Sequence, residues 1–227
     1  SCWRSLVAAI VAVGCVAGPS LAVSPSKSSP TLKVFGTDDR QAVGNTTQFP
    51  WSTIGSVQAT WHVGGQIIAS AGTGTLVGNY VVLTGGHVVY DQVHGWADAI
   101  VFIPGLNGLQ EPFGRGQVVR TISQSGWVEN DDNRYDLALL VLDRPMGQQA
   151  GYMEIAAEPE SFFVDRNLNT AGYPGETKPG NIQYHAAGTS MDVQGGLIRH
   201  TLDSEPGQSG SPIWYYQADQ QSRKVVG

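Results

Sequence analysis

The chain has 227 residues, 41% of them apolar, with 29 Gly, 12 Pro and a formal charge of −6. That length gives one compact domain or two small subdomains room for a real core, and the Gly and Pro content suits a fold rich in turns. The acidic balance argues against nucleic acid or an anionic membrane surface as a partner.

Residues 1–22 read as an export signal: Arg4 is the basic start, Leu6 to Val16 the apolar core, and Pro19-Ser20-Leu21-Ala22 a small-residue cleavage site. The apolar stretch is short for a bilayer span, so no membrane contact is expected once the signal is removed. A lipid-attachment site at Cys15 follows Gly14, but Ala12 is a poor residue three positions before it. Cys2 and Cys15 both fall inside the signal, so the exported chain carries no cysteine and must hold itself together by packing. That points to a secreted, extracellular bacterial protein, because animal secreted domains of this size normally use disulfides. Residues 1–33 contain Arg4, Lys27 and Lys33 and no acid, which leaves 34–227 with 10 basic and 19 acidic residues, a formal −9. Residues 23–33 are rich in Ser, Pro and Lys and read as a pro-segment or linker.

The domain is expected over 34–227. Short β-like runs separated by Gly, Asn and Pro cover Ile54 to Trp61, Gln66 to Ala71, Gly74 to Val77, Tyr80 to Thr84, Ala99 to Ile103, Gln117 to Ile122 and Leu137 to Leu142. A second set covers Asn167 to Ala171, Ile182 to Ala187, Leu197 to Leu202, Pro212 to Tyr216 and Lys224 to Val226. Strands at this spacing indicate an all-β sandwich or pair of barrels, not βαβ units. No segment sustains a 3.6-residue apolar period. One helical turn is expected over Val88 to Val93, and a boundary between halves near Arg144 to Gly147, which places the halves at about 45–143 and 148–227.

Three motifs carry the chemistry. His87 ends the apolar run Val81-Val82-Leu83-Thr84-Gly85-Gly86, Asp136 opens Asp136-Leu137-Ala138-Leu139-Leu140, and Ser209 lies in Gly207-Gln208-Ser209-Gly210-Ser211-Pro212. Peptide hydrolysis needs an activated nucleophile, a base to take its proton and donors for the developing oxyanion. Ser209 fits the nucleophile, since Gly207 and Gly210 permit a tight turn, and the N–H groups of Gly207 and Ser209 would form the oxyanion hole. His87 fits the base; the alternative is a structural histidine. A carboxylate at the mouth of a buried strand is costly unless hydrogen-bonded, and orienting an imidazole meets that cost, which selects Asp136 over the solvated Asp131 and Asp132. The order His, Asp, Ser differs from the orders found in subtilisins and in α/β-hydrolases.

These motifs, with Val34-Phe35-Gly36-Thr37-Asp38-Asp39-Arg40, Asn45-Thr46-Thr47 and Gly172-Tyr173-Pro174-Gly175, resemble the trypsin-like serine peptidases, specifically the bacterial glutamyl endopeptidase branch with its staphylococcal and Bacillus members. The resemblance implies a chymotrypsin-like fold of two six-stranded Greek-key β-barrels, His87, Asp136 and Ser209 as the triad, and hydrolysis through an acyl-enzyme. It also implies a strand, a pocket histidine and a helix beyond Gly227, so the chain is expected to be truncated at its C-terminal end. Animal relatives carry an Asp just before the nucleophile, which pairs with the new N-terminus on activation; Gln208 cannot do so.

Specificity has two readings. Asp203, six residues before Ser209, occupies the place of the trypsin pocket aspartate and by itself predicts cleavage after Arg or Lys. In the glutamyl branch a hydroxyl residue next to it contacts an acidic substrate side chain; Ser204 fits, His200 adds positive polarity, and cleavage after Glu, less after Asp, is favoured. Maturation is expected between Lys33 and Val34, with the freed Val34 amine near the pocket. The expected partners are protein or peptide substrates of a monomeric enzyme. No cofactor or metal is expected: His62, His94 and His185 lack ligand spacing, and Asp38-Asp39 and Asp131-Asp132 are at most weak calcium sites. A peptidase-like binding module would signal itself by a lost triad residue, and an esterase by a Gly-x-Ser-x-Gly elbow. Neither sign is present.

Overall fold

The structure, a computed structural model, describes residues 34–227. The expected signal (1–22) and linker (23–33) lie outside the described residues. Extended runs bounded by turns become β1 (Gln41–Ala42), β2 (Ile54–Val63), β3 (Gln66–Leu76), β4 (Val81–Thr84), β5 (Tyr90–Asp91), β6 (Gly95–Trp96), β7 (Ala99–Pro104), β8 (Gly116–Ser123) and β9 (Ala138–Leu142). After them come β10 (Glu154–Ile155), β11 (Asn167–Gly172), β12 (Tyr184–Gln194), β13 (Leu197–His200), β14 (Ile213–Gln217) and β15 (Ser222–Val225). Two short helices interrupt them, α1 (Ser125–Asn130) before β9 and α2 (Gly147–Ala150) before β10.

The strands β2-β3-β4-β9-β8-β7 close into an antiparallel barrel. Period-2 alternation fills it: Ala138, Leu140 and Leu142 of β9 point inward and are buried, while Leu139 and Val141 are half-buried. With Val57, Leu76, Val82 and Phe102 they form one apolar cluster. The second half is a seven-stranded sheet in the order β1-β12-β11-β14-β15-β10, with β13 added on β12. Hydrogen bonding leaves this sheet open, and its β10–β15 pair is parallel. Ile54, Ile103, Tyr173, Trp214 and Val225 join the two sheets in a second cluster. The fold is therefore nearly all-β, built around a closed six-stranded barrel.

Two local expectations shift. The helical turn expected over Val88 to Val93 is a single 3₁₀ turn at Gly86–Val88, followed by the β5–β6 hairpin. The runs expected at Gln66 to Ala71 and Gly74 to Val77 are one strand, β3. Gly72 reads as a break but serves a close approach: a Cβ there would lie 2.7 Å from Val88 Cγ1 and 3.0 Å from the Ser209 carbonyl oxygen.

Candidate active site

Strand register gathers the three motifs. Gly74 of β3 pairs with Thr84 of β4, and Thr84 pairs with Ala138 of β9. His87 follows Thr84 by three residues and Asp136 precedes Ala138 by two, so both emerge at one end of adjacent strands. Val88 and Val89 are buried in the barrel cluster and anchor the turn that carries His87. Asp136 closes the 3₁₀ turn Asn133–Tyr135. Its carboxylate accepts twice from one residue: the His87 N–H reaches Oδ1 at 2.8 Å, and Oδ2 lies 2.7 Å from His87 Nδ1. Main chain and ring of His87 are thus fixed by one acid, whose side chain is 10% exposed. Trp127 of α1, buried, sets its ring edge-on to the imidazole at 6.3 Å. Sequence reasoning missed Trp127; no local pattern marks it, because α1 is too short to show a helical period.

Ser209 comes from the loop before β14. The Thr73 N–H of β3 donates to the Ser209 carbonyl at 2.7 Å, and the Thr73 hydroxyl donates to the Gly207 carbonyl at 2.9 Å. Thr73, also missed at the sequence level, joins the Ser209 loop to the barrel. Gly207 and Gly210 adopt φ of +96° and +79°. At Gly210 a Cβ would collide with Thr84 Oγ1 and the Thr73 carbonyl, and at Gly207 with the Tyr173 carbonyl, so only glycine fits either place. Among the described residues the N–H groups of Gly207 and Ser209 make no hydrogen bond, which leaves both available to a substrate oxygen.

His87, Asp136 and Ser209 line one cavity of about 270 Å³ with His200, Asp203 and Ser204. The Nδ1 of His200 accepts the Leu202 N–H at 3.1 Å, so a neutral ring carries its proton on Nε2 and can donate it. Burial pushes the pKa of His200 below its ordinary value. The carboxylate of Asp203 is committed elsewhere: it accepts the Phe35 N–H at 2.7 Å and the Asp39 N–H at 3.2 Å, and the residue is 3% exposed. Val34 does not line the cavity; the next residue, Phe35, is held on Asp203. Asp38 is engaged by Arg40 and Lys178, and Asp132 by Arg134. Among the described residues no group of three or more His, Cys, Asp or Glu side chains is placed to share a metal ion. Nor is any described helix long and apolar enough to cross a membrane.

An acid-oriented imidazole and Ser209 share this cavity, an arrangement suited to activating a hydroxyl, although no hydrogen bond joins the Ser209 hydroxyl to the His87 ring. Comparison with known proteins points the same way. Residues 72–227 match the family model described as the trypsin-like peptidase domain. A glutamyl endopeptidase of Bacillus licheniformis is 32% identical over 84% of this chain. A Bacillus subtilis protein named extracellular metalloprotease is 30% identical over 82% of it. The chain spans 58% of the length of each of these relatives. A solved structure of a Glu endopeptidase in complex with MPD superposes with a TM-score of 0.71 at 27% identity, covering 84% of this chain and 85% of that one.

Proposed function

The chain belongs to the trypsin-like peptidase family, and from that premise we propose that it is an exported serine endopeptidase that cleaves after Glu, and less readily after Asp. The observation that carries the reading is the pair of hydrogen bonds between Asp136 and His87 in the cavity that also holds Ser209. Asp136 occupies Nδ1, which leaves Nε2 of His87 to take the Ser209 proton as Oγ attacks the substrate carbonyl carbon. The carbonyl oxygen becomes an oxyanion received by the free N–H groups of Gly207 and Ser209. His87 then returns the proton to the leaving amine, and an acyl-enzyme on Ser209 remains. Water, deprotonated by His87, releases the acid product and restores the serine.

The preference for an acidic side chain rests on Ser204 and on the Nε2–H of His200, two donors in the same cavity. The rival reading, cleavage after Arg or Lys, requires an Asp203 carboxylate free to meet a cation. Two backbone N–H groups already hold it.

A peptide-library digest by the full-length mature enzyme, mapped by mass spectrometry, tests the assignment. Cuts following Glu in most products, with a minority after Asp, are expected. Cuts mainly after Arg and Lys that vanish in Asp203→Asn would overturn it in favour of the trypsin-like alternative.

A further inference from the structure

Arg40 is the feature that the proposed mechanism leaves unused. Its side chain is fully buried. Four of its five N–H donors are bonded: Nε donates to Asp38 Oδ1 at 2.9 Å, Nη2 to Asp38 Oδ2 at 3.0 Å and to Glu205 Oε2 at 2.8 Å, and Nη1 to Gln208 Oε1 at 2.7 Å. Two of those partners belong to the loop that ends in Ser209. Gln208 immediately precedes the nucleophile, and its Oε1 also accepts the Glu205 N–H at 3.2 Å, so the same amide oxygen closes the loop on itself. Glu205 is fastened on its other side by the N–H groups of Glu176 and Thr177 and by the Thr177 hydroxyl. Burial works against the Glu205 charge, but the bonds from Thr177 and Arg40 prevail and hold its pKa at about 2. The segment that carries Arg40 is attached a second time, since Phe35 and Asp39 donate to Asp203. The loop 203–208 is therefore held at both ends by residues 35–40.

We propose that Arg40 is a positioning residue which, seated with the segment 35–40, holds the loop from Glu205 to Ser209 in its reactive shape without touching substrate. The inference rests on the serine peptidase reading above. Gly207 and Ser209 offer their N–H groups from this loop, and its φ > 0 glycines make the shape dependent on outside support. A shift of about 1 Å in such donors costs on the order of 10²-fold in rate. Because the loop holds donors for the transition state, a loosened loop lowers kcat and leaves KM in place.

The test uses the full-length mature enzyme, wild type against Arg40→Lys and Gln208→Leu. Lys keeps the charge but, with one ammonium, cannot reach Asp38, Glu205 and Gln208 together. Gln208→Leu removes both bonds to its amide oxygen, from Arg40 Nη1 and from the Glu205 N–H, and keeps the ion pairs of Arg40 with Asp38 and Glu205. Two rates are read: turnover of a Glu-containing chromogenic peptide, and labelling of Ser209 by a small fluorophosphonate, in which an Oγ–P bond forms and fluoride leaves. Cooperative thermal unfolding is checked for each variant. The expected result is a fall of about 10- to 100-fold in both kcat and labelling rate for each folded variant, with KM within about threefold. Either folded variant reacting within threefold of wild type on both measures would overturn the proposal, as would a raised KM with unchanged kcat. If Arg40→Lys fails to fold, Gln208→Leu decides by the same criterion. A wild-type enzyme that neither labels nor turns over would instead overturn the peptidase reading, and this inference with it.

Discussion

Asp136 serves two hydrogen bonds that differ in what they need. The bond from the His87 main-chain N–H needs only an acceptor at Oδ1, whereas the bond at Nδ1 needs an acceptor at Oδ2 to fix the ring tautomer. Asp136→Asn keeps the first and turns the second into a donor facing Nδ1, which leaves the wrong nitrogen protonated. Turnover is expected to fall by about 10⁴-fold while folding is kept; a loss below tenfold, measured by peptide hydrolysis, would show that Asp136 does not orient the base. Asp203 belongs to a different class. Its carboxylate fixes the segment 35–39, so Asp203→Asn should weaken hydrolysis of Glu peptides without moving the preference toward any other residue, and a switch of preference in the digest would contradict this. The His, Asp and Ser motifs were legible because each sits in a local sequence setting that announces it. The role of Arg40 was not, nor was the hold of Asp203 on the segment 35–39: the partners that join the two ends lie 164 to 168 residues apart, and an Asp-Asp-Arg run reads as solvated until the fold buries it.

Among the elements, the barrel strands were the most legible, and period-2 alternation throughout β9 reports the face each side chain takes, while β2 opens and β7 ends in continuous buried runs. The same alternation yields a test. Leu140→Ala empties a fully buried site and is expected to cost about 2–5 kcal/mol, while Val141→Ala, on the half-buried face of the same strand, costs less. Urea unfolding midpoints for the pair check it, and equal shifts would mean that the register is wrong. The pairings of β1 with β12 and of β10 with β15 involve two residues each, and no period can show in two residues. The break read at Gly72 is the instructive failure: glycine there marks where the Ser209 loop presses against a continuous strand, not where the strand stops.

At the scale of the whole molecule, the segment 35–40 and the Ser209 loop share a buried ion pair, Arg40 with Glu205, and this makes stability depend on acid. Glu205 has its folded pKa depressed to about 2 from the ordinary 4.5, so unfolding takes up a proton between those values. Its contribution is fully present above about pH 4.5 and is lost as pH falls toward 2, an effect on the order of 3 kcal/mol. Urea unfolding of wild type between pH 5 and pH 2.5 should therefore show a steeper loss than the same series on Glu205→Gln; parallel profiles would contradict the coupling.

The proposed role of Ser209 as the nucleophile of an acid–base-assisted peptide hydrolysis is read out by the turnover of Ser209→Ala in the full-length mature enzyme. Ser209 lies half-buried at the cavity and contributes its main chain, not its hydroxyl, to the bond with Thr73, so the variant should unfold at the wild-type temperature. Hydrolysis of a Glu-containing peptide is expected to fall by about 10⁴- to 10⁶-fold, with little further loss on adding His87→Ala, because the two act as one unit. A folded Ser209→Ala enzyme with turnover within tenfold of wild type would contradict the account.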